Sequence, residues 1–151
     1  MGAQPEETRK ERVDRELREL LEETRVVLPG LELLFGFLLI LPFSNRFESI
    51  DEIQRYVYLA CLLATASAAA LLVAPSARHR LGFRKVDKER LLFAANRHLI
   101  AGLTLLAISI ALAVYLASSA MLSSSWAAII AGSIAMWFAL WWFVIPLLRG
   151  R

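Results

Sequence analysis

The chain has 151 residues, of which 58% are hydrophobic and 21% charged, with a net charge of +3 and a mean hydropathy of +0.54. Such a balance excludes an ordinary soluble domain, in which charged side chains cover the surface of one core. Four apolar runs, residues 26–43, 56–74, 99–119 and 126–148, contain a single charged residue, Glu32. Each run is long enough to cross a bilayer as a helix, and none shows the alternation of a transmembrane β-strand. The expected fold class is therefore all-α: a polytopic membrane protein of four transmembrane helices, preceded by a charged amphipathic helix over residues 1–25 and followed by a short tail, residues 149–151.

Residues 6–28 read as helical, with Val13, Leu17, Leu20 and Leu21 at helical spacing and otherwise mostly charged neighbours. The narrow apolar stripe suits a membrane surface; packing beneath the bundle is the other arrangement it permits. Nothing in this segment resembles the apolar core of a signal peptide, so the first span is expected to be retained as a helix. Pro29 and Pro42 sit near the two edges of that span. In the hairpin that follows, Ser49 and Glu52 have capping-box spacing and are expected to start the second helix. Pro75 falls at the end of the second span, Asp87 is placed to cap the third helix over residues 88–119, and Pro146 lies near the end of the fourth span. Tyr56, Tyr58, Tyr115 and Trp126 cluster toward one membrane face as an aromatic belt.

Basic residues set the orientation. Arg9, Lys10, Arg12, Arg15, Arg18 and Arg25 precede the first span; Arg78, Arg80, Arg84, Lys85, Lys88, Arg90 and Arg97 lie between the second and third; Arg149 and Arg151 end the chain. Against these stand only Arg46 and Arg55 in the first hairpin. The positive-inside rule then puts both termini and the middle connection in the cytoplasm. The same bias means that any homo-oligomer would have parallel subunits. The basic residues form no stripe interleaved with aromatics, so nucleic acid is not an expected partner. The segment carrying Arg78, Arg80, Arg84 and Lys85 has the further capacity to hold anionic lipid headgroups.

Helices in lipid associate through close backbone approach, which directs attention to small residues. Ala60, Ala64 and Ala68 in the second span, and Ala127, Ala131, Ala135 and Ala139 in the fourth, recur every fourth residue and are the expected packing faces. Trp137 and Trp141 project from roughly the opposite side of the fourth helix, toward lipid or, on a second reading, toward a planar ligand. Cys61, the sole cysteine, reads as a small packing residue.

There is no P-loop, dinucleotide fingerprint, HExxH or CxxC, and His79 and His98 stand apart. Neither enzyme activity, a metal nor a cofactor is expected. The residue with chemical potential is Glu32, expected about one turn inside the inner boundary of its span, with Phe35, Gly36 and Leu39 on the same face. Gly36 permits close approach beside the carboxylate, and Asn96, Arg97 and His98 are its nearest expected polar partners. Glu32 then reads either as a hydrogen-bonded structural residue or as part of a proton or cation relay.

The segments LLEETRVVLPGLELLFGFLLILPFSNRF, QRYVYLACLL, LLVAPSARHRLGFR and ERLLFAANR together resemble an uncharacterised bacterial family of four-helix inner-membrane proteins, a domain of unknown function. The resemblance spans about residues 20–115 and is most specific around residues 38–47. It implies a multi-pass protein of the inner membrane without a defined mechanism; many members carry an automatically assigned sodium:proton antiporter label. In the family pattern the position of Glu32 is usually glutamine, a departure that argues against proton coupling here. Two functional classes follow: a structural or interaction protein of the cytoplasmic membrane with an unidentified partner, which the packing faces and charged first helix favour, and a small proton-coupled transporter using Glu32. Small multidrug-resistance transporters offer an analogy for the second, but their antiparallel pairing demands near-equal loop charge.

Overall fold

A computed structural model describes residues 8–45, 47–81 and 88–149. Helix α1 is Arg9–Ile40, α2 Glu52–Leu81, α3 Lys88–Ser119 and α4 Ser124–Ala139. A π-helical turn, Leu140–Val144, joins α4 to α5, Ile145–Arg149. No strand occurs among the described residues, and four of the helical stretches are long and apolar enough to cross a membrane. Asp87, Arg84, Lys85 and Arg46, to which the sequence assigns capping or orienting roles, lie outside the described residues.

Helix α1 opens with a capping box. The Thr8 hydroxyl accepts from the Glu11 N–H at 3.4 Å, and the Glu11 carboxylate accepts from the Thr8 N–H at 2.9 Å. From there the helix continues through Pro29 without a break, so the charged N-terminal segment and the first span are one rod. Its inward face explains why. Leu17, Leu20, Thr24, Leu31 and Leu38 are buried, with Val27 and Leu34 packed partly beside them; together these positions alternate steps of three and four, the seam of a coiled coil. That seam crosses the expected boundary at Val26 unchanged. The apolar stripe of the N-terminal segment is thus spent on the bundle, where Leu20 joins Ala95 and Leu99 of α3 in one core cluster, rather than left for a lipid surface.

The pairing of α2 with α3 forms the centre of the bundle, with α1 against both and α4 against α3 alone. On α2 the buried residues are Tyr58, Cys61, Thr65, Ala68, Leu72 and Pro75, again at alternating three and four spacing. This corrects the expected alanine faces. A strict spacing of four advances 400° per step and so drifts about 40° around the helix each time. Accordingly Ala68 is fully buried, Ala64 half-buried and Ala60 exposed. On α4 the same drift leaves Ala127 buried, Ala131 half-buried, and Ala135 and Ala139 exposed, while half-buried Ile134 and Phe138 continue the inward line from Ala131 at steps of three and four. Trp137 and Trp141 face outward, 5.8 Å apart between ring centroids.

Prolines locate two local solutions. Pro42 offers no N–H to the Leu38 carbonyl four residues before it, and the buried Tyr58 hydroxyl donates to that carbonyl instead, at 3.0 Å. Tyr58 therefore belongs to the core, edge-on to Phe47 at 5.0 Å, and not to an aromatic belt; Tyr56 and Trp126 are exposed. Pro146 would clash with the Trp142 carbonyl in a regular helix, and the preceding turn widens to a π-helix in which the Ile145 N–H reaches back to Leu140. At the start of α2 the capping pair is Asp51 and Gln54, whose side chains accept from each other's backbone N–H at 2.7 and 3.1 Å. The helix starts at Glu52 and not earlier, which leaves Ser49 in the 3-10 turn Phe47–Ser49.

Candidate functional site

Polar groups concentrate at two levels. The first is mid-height between α2 and α3, where Cys61, Thr65 and Ser109 are fully buried. The Thr65 hydroxyl lies 2.8 Å from the Cys61 carbonyl and 3.0 Å from the Ser109 hydroxyl, so its single proton serves one of them at a time. The Cys61 thiol donates to the Ser109 carbonyl at 3.3 Å. Every hydrogen-bonding group in this layer turns to another within it, which makes it an interhelical clasp and leaves no free nucleophile. Thr65→Val, which keeps the shape and removes the hydroxyl, is expected to lower stability by about 1 kcal/mol, read as an earlier midpoint when the protein in mixed micelles is titrated with sodium dodecyl sulfate. Thr65 and Ser109 carry no motif; only their place in the three-and-four seam distinguishes them from other span hydroxyls.

Glu32 stands near the same height. Its neighbour Leu31 packs in the cluster of Ala68, Leu72 and Leu106, and Leu34 touches both core clusters. Measured from the other end, Glu32 is eleven residues, about 16 Å, from Phe43. By the neighbours of Leu31 and Leu34 it stands beside the middle of the bundle. The side chain faces out of the bundle and has no hydrogen bond or ion pair among the described residues. Leu39 shares its outward face, and Leu33, Phe37 and Ile40 are exposed farther around the rod. Gly36, one turn on, is half-exposed, and a Cβ built there meets nothing within 4 Å.

Asn96, Arg97 and His98 do not join Glu32. Leu20 of α1 and Asn96 of α3 line one cleft, so these residues share a level, and Glu32 is twelve residues, about 18 Å, farther along the rod. The mismatch arises because the α1 seam begins well before Val26. Asn96 faces Glu16, Glu19 and Glu23 across an acidic cleft between α1 and α3, in which Glu19 pairs with Arg15 at 3.4 Å. Arg97 and His98 turn the other way, into a cleft between α2 and α3 shared with Arg78 and floored by Ala94 and Ala101. The His98 ring holds Nδ1 2.6 Å from the Ala94 carbonyl, and Arg80 is exposed near the end of α2.

The first turns of α3 therefore carry an acidic cleft on one side and a basic one on the other, and the middle of α1 presents an exposed glutamate without a partner among the described residues. No three of the described His, Cys, Asp and Glu side chains converge as metal ligands. Comparison with known proteins gives no match among the curated proteins and none among the solved structures. A family profile does match, over residues 6–146, and on that span of nearly the whole chain the protein belongs to the family of unknown function DUF6328.

Proposed function

We propose that the chain is a non-enzymatic, multi-pass protein of the bacterial cytoplasmic membrane, that its role is structural or interactive, and that its working form is an assembly of parallel copies. In this reading both termini and the α2–α3 connection face the cytoplasm, as the distribution of Lys and Arg indicates. The observation that carries it is Glu32, exposed at mid-height with no described partner. A carboxyl facing hydrocarbon there costs up to a few kcal/mol. A second, parallel copy brings its own Glu32 to the same height, where the two carboxyl groups hydrogen-bond each other. Gly36 leaves the backbone bare for close approach, and α4, which packs on α3 through one side and exposes Ile129, Met136 and Trp137 on the other, offers further surface.

Proton-coupled exchange, the other reading of Glu32, requires water at the carboxylate. Glu32 lines neither cleft described above, and equal flux is expected from liposomes carrying the native chain or Glu32→Gln.

Cross-linking of Leu39→Cys tests the assembly. Native Cys61 is fully buried and does not compete. Position 39 is exposed and lies seven residues, about 10 Å, beyond Glu32 and about 20° from it around the helix, so parallel copies bring two introduced thiols together and antiparallel copies hold them about twice that distance apart. A cross-linked dimer in native membranes supports the proposal; a chain that stays monomeric under conditions that cross-link Leu33→Cys, or that cross-links at neither position, overturns it.

A further inference from the structure

We infer that the cleft between α2 and α3 at the basic end is a binding site for the phosphate of an anionic phospholipid headgroup, built from Arg78, Arg97 and His98. The inference rests on a different face from the one proposed for assembly and stands or falls separately.

Three features converge on it. Arg78 closes the apolar stretch of α2, and Arg97 lies in the second or third turn of α3, whose apolar stretch starts at Leu91; the cleft therefore sits where the apolar bundle gives way to polar ends. Both guanidiniums are exposed, and neither has an ion pair among the described residues. Two unpaired guanidiniums lining one cleft make it attractive to an anion, and a phosphodiester matches the planar donor fork of each. Ala94 and Ala101, one on each side of the arginine along α3, keep the floor low, and the space of about 410 Å³ suits a headgroup.

His98 adds selectivity. Because Nδ1 is directed at the Ala94 carbonyl, the proton of the neutral ring resides on Nδ1, and Nε2 is left as an acceptor. An acceptor beside a bound phosphate favours a headgroup that carries its own hydroxyl, such as glycerol, over one that ends in a methylated ammonium. The apolar part of the lipid has a path as well: Ala101 and Ile108 are exposed along the same side of α3, with Leu105 half-buried between them. That path distinguishes a lipid from free phosphate.

The test is a thermal-stability titration of the full chain in neutral detergent, with phosphatidylglycerol, phosphatidylcholine or inorganic phosphate as the added probe. Phosphatidylglycerol is expected to raise the melting temperature in a saturable manner, with phosphatidylcholine and phosphate at the same concentration doing neither. Arg78→Ala and Arg97→Ala, both at exposed positions, are expected to weaken the apparent phosphatidylglycerol affinity at least tenfold each, whereas Arg80→Ala, outside the cleft lining, changes it less than twofold. His98→Ala is expected to reduce the preference for phosphatidylglycerol over phosphatidylcholine. Equal saturation by inorganic phosphate overturns the lipid source. Equal losses from Arg80→Ala and Arg97→Ala overturn the site, because they identify diffuse attraction to a basic surface; a native-like titration by the Arg78→Ala/Arg97→Ala double variant does so as well. Helix content by circular dichroism confirms that each variant compared is folded, and native mass spectrometry of the same samples counts retained lipid independently of stability.

Discussion

Replacing Gly102 with alanine is expected to destabilise the bundle by about 1–3 kcal/mol, the usual cost of forcing one methyl into a filled interior. A Cβ at this position falls 2.8 Å from both Cγ and Cδ2 of Leu72 and 3.5 Å from the Ala68 carbonyl oxygen. Leu72 is itself fully buried, so it has no open side to retreat to, and α2 and α3 must separate or Leu72 must leave its rotamer. Leu72→Ala alone leaves a cavity and is expected to cost about 2–5 kcal/mol. Combined, the two changes occupy and vacate the same space, so the double variant is expected to be more stable than the sum of the singles predicts, by about 0.5–3 kcal/mol. Titration with sodium dodecyl sulfate in mixed micelles, followed by circular dichroism, measures all three. Additive losses would show that Gly102 and Leu72 do not meet. Gly36 and Gly132 are internal controls: a Cβ at either meets nothing within 4 Å, and alanine there is expected to leave the stability of the single chain within about 0.5 kcal/mol.

Gly102 also marks the limit of what a sequence reader sees. The existence and type of the helices follow from apolar length, and α3 occupies Lys88–Ser119 as its punctuation suggests. The inward faces are harder, because in lipid the outward side is as apolar as the inward side and hydrophobicity ceases to point anywhere. Small residues then look informative, yet the spacing of four in Ala60, Ala64 and Ala68 winds off the contact line, whereas the three-and-four seam through Leu17, Leu20, Thr24, Leu31 and Leu38 stays on it. The seam passes through charged and apolar sequence alike, so a division made on composition at Val26 hides it. That one displacement moved Glu32 from the edge to the middle of the bundle and parted it from Asn96, Arg97 and His98. Long-range register has no local signature, and a cluster assembled from span ends inherits any error in where those ends lie.

Glu32→Leu is expected to weaken self-association about fivefold to thirtyfold, the equivalent of about 1–2 kcal/mol for a polar contact between helices in lipid. The side chain lies outside the core, so the same change is expected to leave unfolding of the single chain unaltered or slightly raised, since it removes a carboxyl from hydrocarbon. Glu32→Gln separates charge from hydrogen bonding: an amide both donates and accepts, and a pair of them across the contact satisfies each other, so association within about threefold of native is expected. Gly36→Leu leaves the carboxyl in place and fills the approach beside it; because its Cβ has open space in the single chain, this variant is expected to fold normally and to associate as weakly as Glu32→Leu. Energy transfer between labelled chains, diluted stepwise into liposomes, yields each association constant. If the leucine variant at position 32 associates as tightly as the native chain, the carboxyl contributes nothing to the contact. If Glu32→Leu and Gly36→Leu both leave association intact, the copies meet through another surface, such as the exposed side of α4 with Ile129, Met136 and Trp137, and Glu32 must find its partner in another protein.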